Sequence, residues 1–326
     1  MITLQSIDLS QTDNDTADWM ELYAYLHSKA KYMLLENAYT DNQDINEPDF
    51  SLEDAELENF KGKIESILYQ RQEGINESYP FNLEEDGLSI KEKITSEQYI
   101  YIFCLIISHL RSGGLLANET DLLSNDIRDL FQVAATAAAA GELSPEGRAY
   151  CLGWPRPKDD TDFLTALRTV YKRIGSGTVI SCLPAHTRYV KDGGIDIIGW
   201  AHYNTGGIRS YLLGQVASGA DWFQKPVEAN YFHETFFEKR PIHSEDCIRA
   251  TFTPEIIGKN YSEEQWNDYI RSVEATHGKI ICRKRLVLLA ARGLKSAMDS
   301  KEPPSNVIHR HCDLIHIEKW VEELRC

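Results

Sequence analysis

Two apolar segments joined by a short glycine-rich connection limit the fold of this chain more than any other feature. The first, "GGIDIIGW", carries a single acid, Asp196, and the second, "YLLGQVASG", carries a single amide, Gln215. Between them, "HYNTGGIRS" contains Gly206 and Gly207 and is rich in turn residues. Apolar segments separated by such a turn predict a β-hairpin, in which Asp196 and Gln215 lie on one face of neighbouring strands.

A carboxylate within an apolar strand needs a partner, because an unpaired charge is costly to remove from water. A bound cation is the most economical partner, so the hairpin predicts a metal site built on a sheet. Two plainer interpretations stay open. Asp196 accepts a hydrogen bond from a backbone amide or pairs with Arg209 across the hairpin, and Gln215 makes a structural hydrogen bond to a neighbouring strand end.

The rest of the chain predicts a helical N-terminal region, 1–117, followed by an α/β core with C-terminal helices, 118–326. A mixed sheet flanked by helices is the architecture that this order of elements favours. Helical periodicity covers 16–38, 51–72, 95–112, 119–140, 161–174, 227–238, 262–277 and 306–325, and strands are predicted at 177–183, 194–202, 210–217 and within "CIRATFTPEII". The alanine run that ends 119–140 predicts close packing of this helix against the sheet.

Composition narrows the classes of partner. The formal net charge of −16 argues against non-specific coating of nucleic acid or of an anionic membrane, although it leaves room for a local basic groove. No apolar segment approaches the length that crosses a bilayer, so we expect no membrane partner. The N-terminus lacks a signal-like apolar core, and seven cysteines are scattered without a CxxC pair. These features predict a cytoplasmic protein with reduced thiols.

The hairpin motifs resemble a known family. "DGGID" followed by a strand with "GQ" is similar to the Mrr-type branch of the PD-(D/E)xK restriction-endonuclease superfamily. The resemblance covers roughly 120–290 and extends to "GWPRP" and "ADWFQK". It implies a restriction-endonuclease-like mixed sheet flanked by helices, with Asp196 as the metal-binding acid and Gln215 as the second polar ligand. Mg²⁺ is the expected cofactor if the site is active.

The sequence departs from the family pattern at two positions. Ala217 stands where the family has a lysine two residues after the glutamine, and Gln132, next to Phe131, is the best-placed counterpart of a glutamate on the preceding helix. Two substitutes are conceivable. Lys225 supplies the missing ammonium, unless it is a plain surface lysine, and Asp192 or Asp162 supplies the missing acid.

Three functions follow as hypotheses. The first is a catalytically impaired nuclease-fold subunit of a prokaryotic anti-phage or anti-plasmid defence complex, which serves assembly or nucleic-acid recognition. Its partners would be other subunits of the complex and DNA, and exposed side chains in the N-terminal region would supply the anchors, namely Trp19, Tyr23, Tyr32 and Met33. The second is an active metal-dependent DNA endonuclease that uses Asp196, Gln215 and a relocated Lys225. The third is a scaffold protein without a nucleic-acid role.

Two further patterns invite interpretation. "HRHCDLIH" offers His309, His311, Cys312 and His316 as metal ligands, but their spacing does not converge on one helix face, and we do not expect zinc there. "RKRL" at 283–286 is the densest basic run and is interpreted as a solvated strand end rather than a phosphate contact. No Walker A, GxGxxG, GxSxG or HExxH motif is present.

Overall fold

A computed structural model describes residues 2–7, 11–41, 50–111, 113–156, 162–185, 187, 191–219, 222–256 and 263–325. Its helices are α1 (Asp13–His27), α2 (Met33–Asp41), α3 (Phe50–Ile75), α4 (Ser96–His109), α5 (Asn125–Glu142), α6 (Phe163–Ile174), α7 (Ala229–Phe236), α8 (Glu263–His277), α9 (Arg283–Asp299), α10 (Pro304–Val307) and α11 (Leu314–Arg325). Its strands are β1 (Lys29–Lys31), β2 (Phe81–Glu84), β3 (Gly87–Ile90), β4 (Gly147–Cys151), β5 (Thr178–Val179), β6 (Ile197–His202), β7 (Ile208–Val216), β8 (Phe237–Lys239), β9 (Ile248–Phe252) and β10 (Lys279–Ile281).

The central sheet has five strands in the order β10-β9-β7-β6-β4. β4, β6 and β7 are antiparallel neighbours, whereas β9 runs parallel to β7 and β10 runs parallel to β9. The predicted hairpin is confirmed, since Ile197 lies opposite Gly214 and Ile198 lies opposite Leu213. The predicted mixed sheet flanked by helices is confirmed as well.

Alternation along the strands sends side chains into two cores. Ile197, Leu212 and Phe252 join a cluster that also contains α5 and α9, whereas Trp200 and Leu213 join a cluster with α6 and α7. Because side chains of a strand alternate between its faces, both faces of the sheet are covered. This burial fixes the register of β6 against β7, and with it the relative position of Asp196 and Gln215.

The alanine run of α5 packs closely against a helix as well as against the sheet. A Cβ added to Gly141 would lie 1.8 Å from the Leu289 carbonyl oxygen of α9, and one added to Gly293 would lie 2.2 Å from the Ala137 carbonyl oxygen of α5. Such distances leave no room for a methyl group. Small residues on both helices therefore allow the two backbones to touch.

The N-terminal helices share one hydrophobic cluster with α5, α9 and α11. A buried ion network lies inside this cluster. Asp18 of α1 accepts from Arg71 of α3 at 2.7 Å, from Arg283 of α9 at 2.9 Å and from His109 of α4 at 2.7 Å. Glu21 lies 3.0 Å from the same Arg71. The two acids and two guanidinium groups neutralise one another, which is the condition under which buried charges are tolerated.

Several sequence predictions are wrong for reasons of packing. Arg283, predicted in a solvated strand end, is the first residue of α9 and is fully buried against Asp18. Trp19 and Tyr32, predicted as partner anchors, are each only 7% exposed, while Met33 is 56% exposed. The core therefore buries the aromatic side chains of Trp19 and Tyr32.

The helical prediction for the N-terminal region missed β1–β3, which form a separate sheet. Ser28, with φ 70°, ends α1 in a left-handed conformation and interrupts the helix predicted over 16–38. Of the strand predicted at 177–183, only β5 is present, and it pairs with β8 outside the central sheet. The sequence did not predict β4, which pairs with β6. No helix in the described part of the chain has the length and apolarity to span a bilayer.

Candidate functional site

An open pocket of about 410 Å³ lies where β6 begins and β7 ends. It brings together the three predicted site residues, Asp196, Gln215 and Lys225, and adds Asp192. The remaining lining residues come from α5 and from the loops around the sheet end, namely Arg128, Gln132, Trp154, Val216, Ala217, Ser218, Gly219 and Trp222. Ala220, Asp221 and Pro157 of the motifs quoted above lie outside the described residues.

Asp196 is held by β7. Its Oδ2 accepts a hydrogen bond from Gln215 Nε2 at 2.5 Å and another from the Val216 backbone amide at 2.8 Å. The predicted backbone-amide contact is therefore present. Pairing with Arg209 is wrong, because that guanidinium donates to the Leu143 carbonyl oxygen and, at 2.8 Å, to that of Pro145.

Gly153 lets α5 approach the acid. A Cβ on Gly153 would lie 1.8 Å from Gln132 Oε1 and 2.8 Å from Asp196 Oδ1, so only glycine leaves space for both oxygens. Gln132 Nε2 donates to the Trp154 carbonyl at 3.0 Å, which fixes the orientation of the amide. The helix position that the family resemblance assigns to an acid thus presents an amide oxygen beside Asp196.

The electrostatics of the pocket centre on Asp196. Burial and, to a smaller extent, the negative charge of Asp192 raise the pKa of its carboxyl, whereas the hydrogen bond from Val216 and the positive charge of Lys225 lower it, and the net pKa is about 7. Asp192 is held by its own loop, since its Oδ1 accepts from the Gly194 amide at 2.8 Å. The carboxyl is therefore partly protonated at neutral pH, and a bound cation would stabilise its ionised form.

Two cations flank the acids. Lys225 follows a short turn of 3₁₀ helix and donates its backbone amide to the Trp222 carbonyl at 3.2 Å, while its side chain is exposed at the pocket. Arg128 lines the pocket from α5, with Nη1 3.4 Å from Ser218 Oγ. Lys225 forms no ion pair with any other residue that the structure describes.

Ala217 occupies the position at which the family resemblance implies a lysine. Its side chain is 1% exposed and packs with Trp222 and Ile280, so this position contributes no charge to the pocket. Asp162 is wrong as a substitute acid, because it caps α6 by accepting from the Thr165 amide at 2.8 Å and does not line the pocket. Of the two acids proposed as substitutes, Asp192 is the one at the site.

Other candidate ligands do not form a site. The His309 ring stacks on Tyr150 at 3.9 Å, and among the described residues the "HRHCDLIH" side chains do not bring three ligand atoms together. Asp15, Asp18 and His109 do converge. However, Asp18 already binds two guanidinium groups in the buried ion network, so this cluster is structural.

Arg128 and Trp154 escaped the sequence analysis. Arg128 precedes Gln132 by four residues on α5, and residues at this spacing share a helix face. The helical spacing alone therefore places Arg128 beside Gln132, the predicted counterpart of the family glutamate. Trp154 lies in the "GWPRP" motif, but its place at the pocket depends on the loop after β4, which the motif alone does not predict.

Comparison of the chain with protein-family models, with curated proteins and with solved structures gives no match. The function is therefore argued from the pocket itself. Its contents are two carboxylates, two carboxamides and two cations at an open sheet end. This set suits recognition of a phosphate group together with a hard metal ion.

Proposed function

We propose that the Asp196 pocket is the active site of a metal-dependent endonuclease that hydrolyses a phosphodiester bond of DNA. One observation carries the proposal: Asp192 and Asp196 from the segment before β6, Gln215 from β7 and Lys225 from the segment after β7 line one open pocket at the end of the central sheet. The position of Lys225 favours this function over loss of catalysis. Lys225, which follows β7 in the chain, compensates for Ala217, which directly follows the last residue of that strand.

The oxygen atoms present fit a partly hydrated magnesium ion. Mg²⁺ in phosphoryl-transfer sites is held by one or two carboxylates, and waters and substrate phosphates complete its shell. Asp196 Oδ1 and Gln132 Oε1 both lie against Gly153, and Asp192 lines the same pocket. When bound, such an ion polarises the phosphoryl group and lowers the pKa of a coordinated water.

The side chains of the chain have separate tasks. The amides of Gln215 and Val216 hold Asp196 Oδ2 and leave Oδ1 directed towards Gln132. The Lys225 ammonium stabilises the negative charge that develops on the phosphoryl oxygens as the bond breaks. Arg128, on the opposite helix, binds a phosphate adjacent to the scissile one.

A second candidate is the catalytically impaired subunit of a prokaryotic anti-phage or anti-plasmid defence complex, in which the pocket serves recognition or assembly. The observation that favours it is the pair Ala217 and Gln132, which leaves the family positions for lysine and glutamate without charge. In this case the partners are DNA and other subunits of the complex, and Met33 remains an exposed apolar contact.

The two candidates differ in one assay. Incubation of supercoiled DNA with the protein and Mg²⁺ or Mn²⁺ yields nicked product if the endonuclease proposal holds, and Asp196→Asn yields none. Equal absence of product with the wild-type protein and with the variant, while DNA binding persists, supports the impaired subunit instead.

A further inference from the structure

A second pocket, of about 600 Å³, has a different charge from the Asp196 pocket. Four cations line it, namely Arg168, Lys172, Lys239 and Arg240, and no carboxylate is among its lining residues. In a chain with a formal net charge of −16, this concentration of positive charge departs strongly from the average surface. We name it the basic pocket.

The four cations differ in their contacts with the rest of the chain. Arg168 Nη2 donates to the carbonyl oxygens of Ile180 at 2.7 Å and Ser181 at 2.8 Å, and Arg240 pairs with Glu234 at 3.1 Å. Lys172 and Lys239 are both exposed and form no ion pair with another residue in the described ranges.

Lys172 has a plainer explanation, because a cation in the last turn of α6 compensates the helix dipole. Compensation of the α6 dipole does not account for Lys239 and Arg240, which come from β8 and the segment after it. Separate parts of the chain therefore converge on one positive surface.

The loop between α6 and β5 holds this surface in place. Gly175 and Gly177 have φ angles of 77° and 84°, and a Cβ on Gly177 would lie 3.1 Å from Pro241 Cγ. Ser176 Oγ accepts from the Ile242 amide at 2.8 Å, which ties the loop to the segment after β8. The two strands β5 and β8 pair alongside. The pocket is thus formed by the fold before any ligand binds.

Helix α6 connects the basic pocket with the Asp196 pocket. Phe163 begins α6 and lies under the Arg156 guanidinium, which also covers the ring of Trp154, a lining residue of the Asp196 pocket. The other end of α6 reaches the basic pocket at Lys172. A helix of 12 residues is about 18 Å long, since each residue rises about 1.5 Å.

We infer that the basic pocket binds backbone phosphates of the same nucleic acid whose phosphodiester bond lies at the Asp196 pocket. The helix that runs between the two pockets has 12 residues and is about 18 Å long, which is comparable to about five base pairs at 3.4 Å each. The inference rests on the proposed function for its choice of nucleic acid, and it adds a contact that sets where along the strand the substrate is held. Flexible lysines act here as point charges that tolerate any base sequence.

The test is a salt series of binding isotherms with short fluorescent DNA, single-stranded and duplex, in EDTA so that no cleavage occurs. The variant is Lys172→Glu with Lys239→Glu, and the matched control is Lys63→Glu with Lys319→Glu, which alters net charge equally at exposed lysines of α3 and α11. Thermal melting verifies folding, and Lys172→Gln with Lys239→Gln provides a milder version with an intermediate effect.

We expect the basic-pocket variant to bind DNA at least about tenfold more weakly than the control, with a salt slope reduced by about one for each lysine. Equal affinity and slope in variant and control overturn the inference, as does a wild-type protein without salt-sensitive DNA binding.

Pyrophosphate competes for the site as a separate probe. If the variant loses only pyrophosphate binding and keeps DNA binding, the pocket serves a small phosphate compound and the inference is again overturned. Failure of the proposed function has a different signature, namely intact DNA binding without Asp196-dependent cleavage.

Discussion

Gln215 donates its side-chain amide to Asp196 across the β6–β7 pair, with 2.5 Å between Nε2 and Oδ2. The two residues are 19 positions apart in sequence, yet the hairpin register makes them one unit. Because this hydrogen bond and that of Val216 both reach Oδ2, Oδ1 is the oxygen that faces Gln132 and Gly153. The single amide of the second apolar strand therefore orients the carboxylate of the single acid beside it.

Replacement of Lys225 by methionine tests its role in charge stabilisation. We expect a loss of about 10²–10³ in kcat, because one donor aimed at a developing negative charge is worth this much. The side chain is exposed, so the melting temperature should not change. Single-turnover cleavage of labelled DNA measures the effect, with Lys63→Met as the control. A rate for Lys225→Met equal to that of the control would show that the lysine is a surface residue.

The raised pKa of Asp196 predicts an unusual dependence of stability on pH. The folded carboxyl has a pKa of about 7 and the unfolded one about 3.9, so the folded state binds its proton more tightly. The stability from this proton is complete below about pH 4 and is lost as pH rises through about 7. Asp196→Asn removes the loss, and in EDTA it should stabilise the fold at about pH 8 by about 2–4 kcal/mol.

Chemical denaturation of wild type and Asp196→Asn at about pH 8 and at about pH 3 provides the measurement. The difference between them should nearly vanish at about pH 3, where the wild-type carboxyl is largely protonated in both states. An Asp196→Asn protein that is less stable than wild type at about pH 8 would contradict a buried carboxyl with a raised pKa.

The site was more predictable from the sequence than the fold around it. Alternation within two apolar strands placed Asp196 beside Gln215, since a period of two leaves little freedom once a hairpin forms. Asp192 and Lys225 were named as substitutes, but their convergence depends on loops whose course no periodicity encodes. The N-terminal region was harder, because Arg283 and Trp19 are buried through contacts between segments far apart in the chain.

The close approach of α5 and α9 predicts a large effect from a single methyl group. Gly141→Ala forces a Cβ to 1.8 Å from the Leu289 carbonyl, and the resulting backbone shift should destabilise the protein by about 1–3 kcal/mol or more. Gly62→Ala is the matched control, because Gly62 lies inside α3 with no atom within 4 Å of its added Cβ. That substitution should stabilise the protein by about 0.5–1 kcal/mol. Urea unfolding compares the two, and similar midpoints would show that the helices are not in backbone contact.

Arg283 tests whether the buried ion network ties α9 to the N-terminal helices. Arg283→Met leaves Asp18 buried with one of its cations missing, and we expect a loss of about 3–5 kcal/mol in the free energy of unfolding. Lys284→Met, one position further along α9, should cost less than about 0.5 kcal/mol. Thermal and urea unfolding of the two variants provide the comparison. A small effect of Arg283→Met would mean that solvent reaches the network.

The central claim is that Asp196 and Lys225 serve phosphodiester hydrolysis, and metal-dependent DNA cleavage tests it most directly. Wild-type protein with Mg²⁺ or Mn²⁺ should nick supercoiled DNA, and its rate should rise with pH through about 7 as Asp196 ionises. EDTA and Asp196→Asn should each abolish nicking, while Asp162→Asn, on an acid outside the pocket, should leave it intact. If wild type and Asp196→Asn are equally inactive with both metals, or equally active, the pocket is not an endonuclease site.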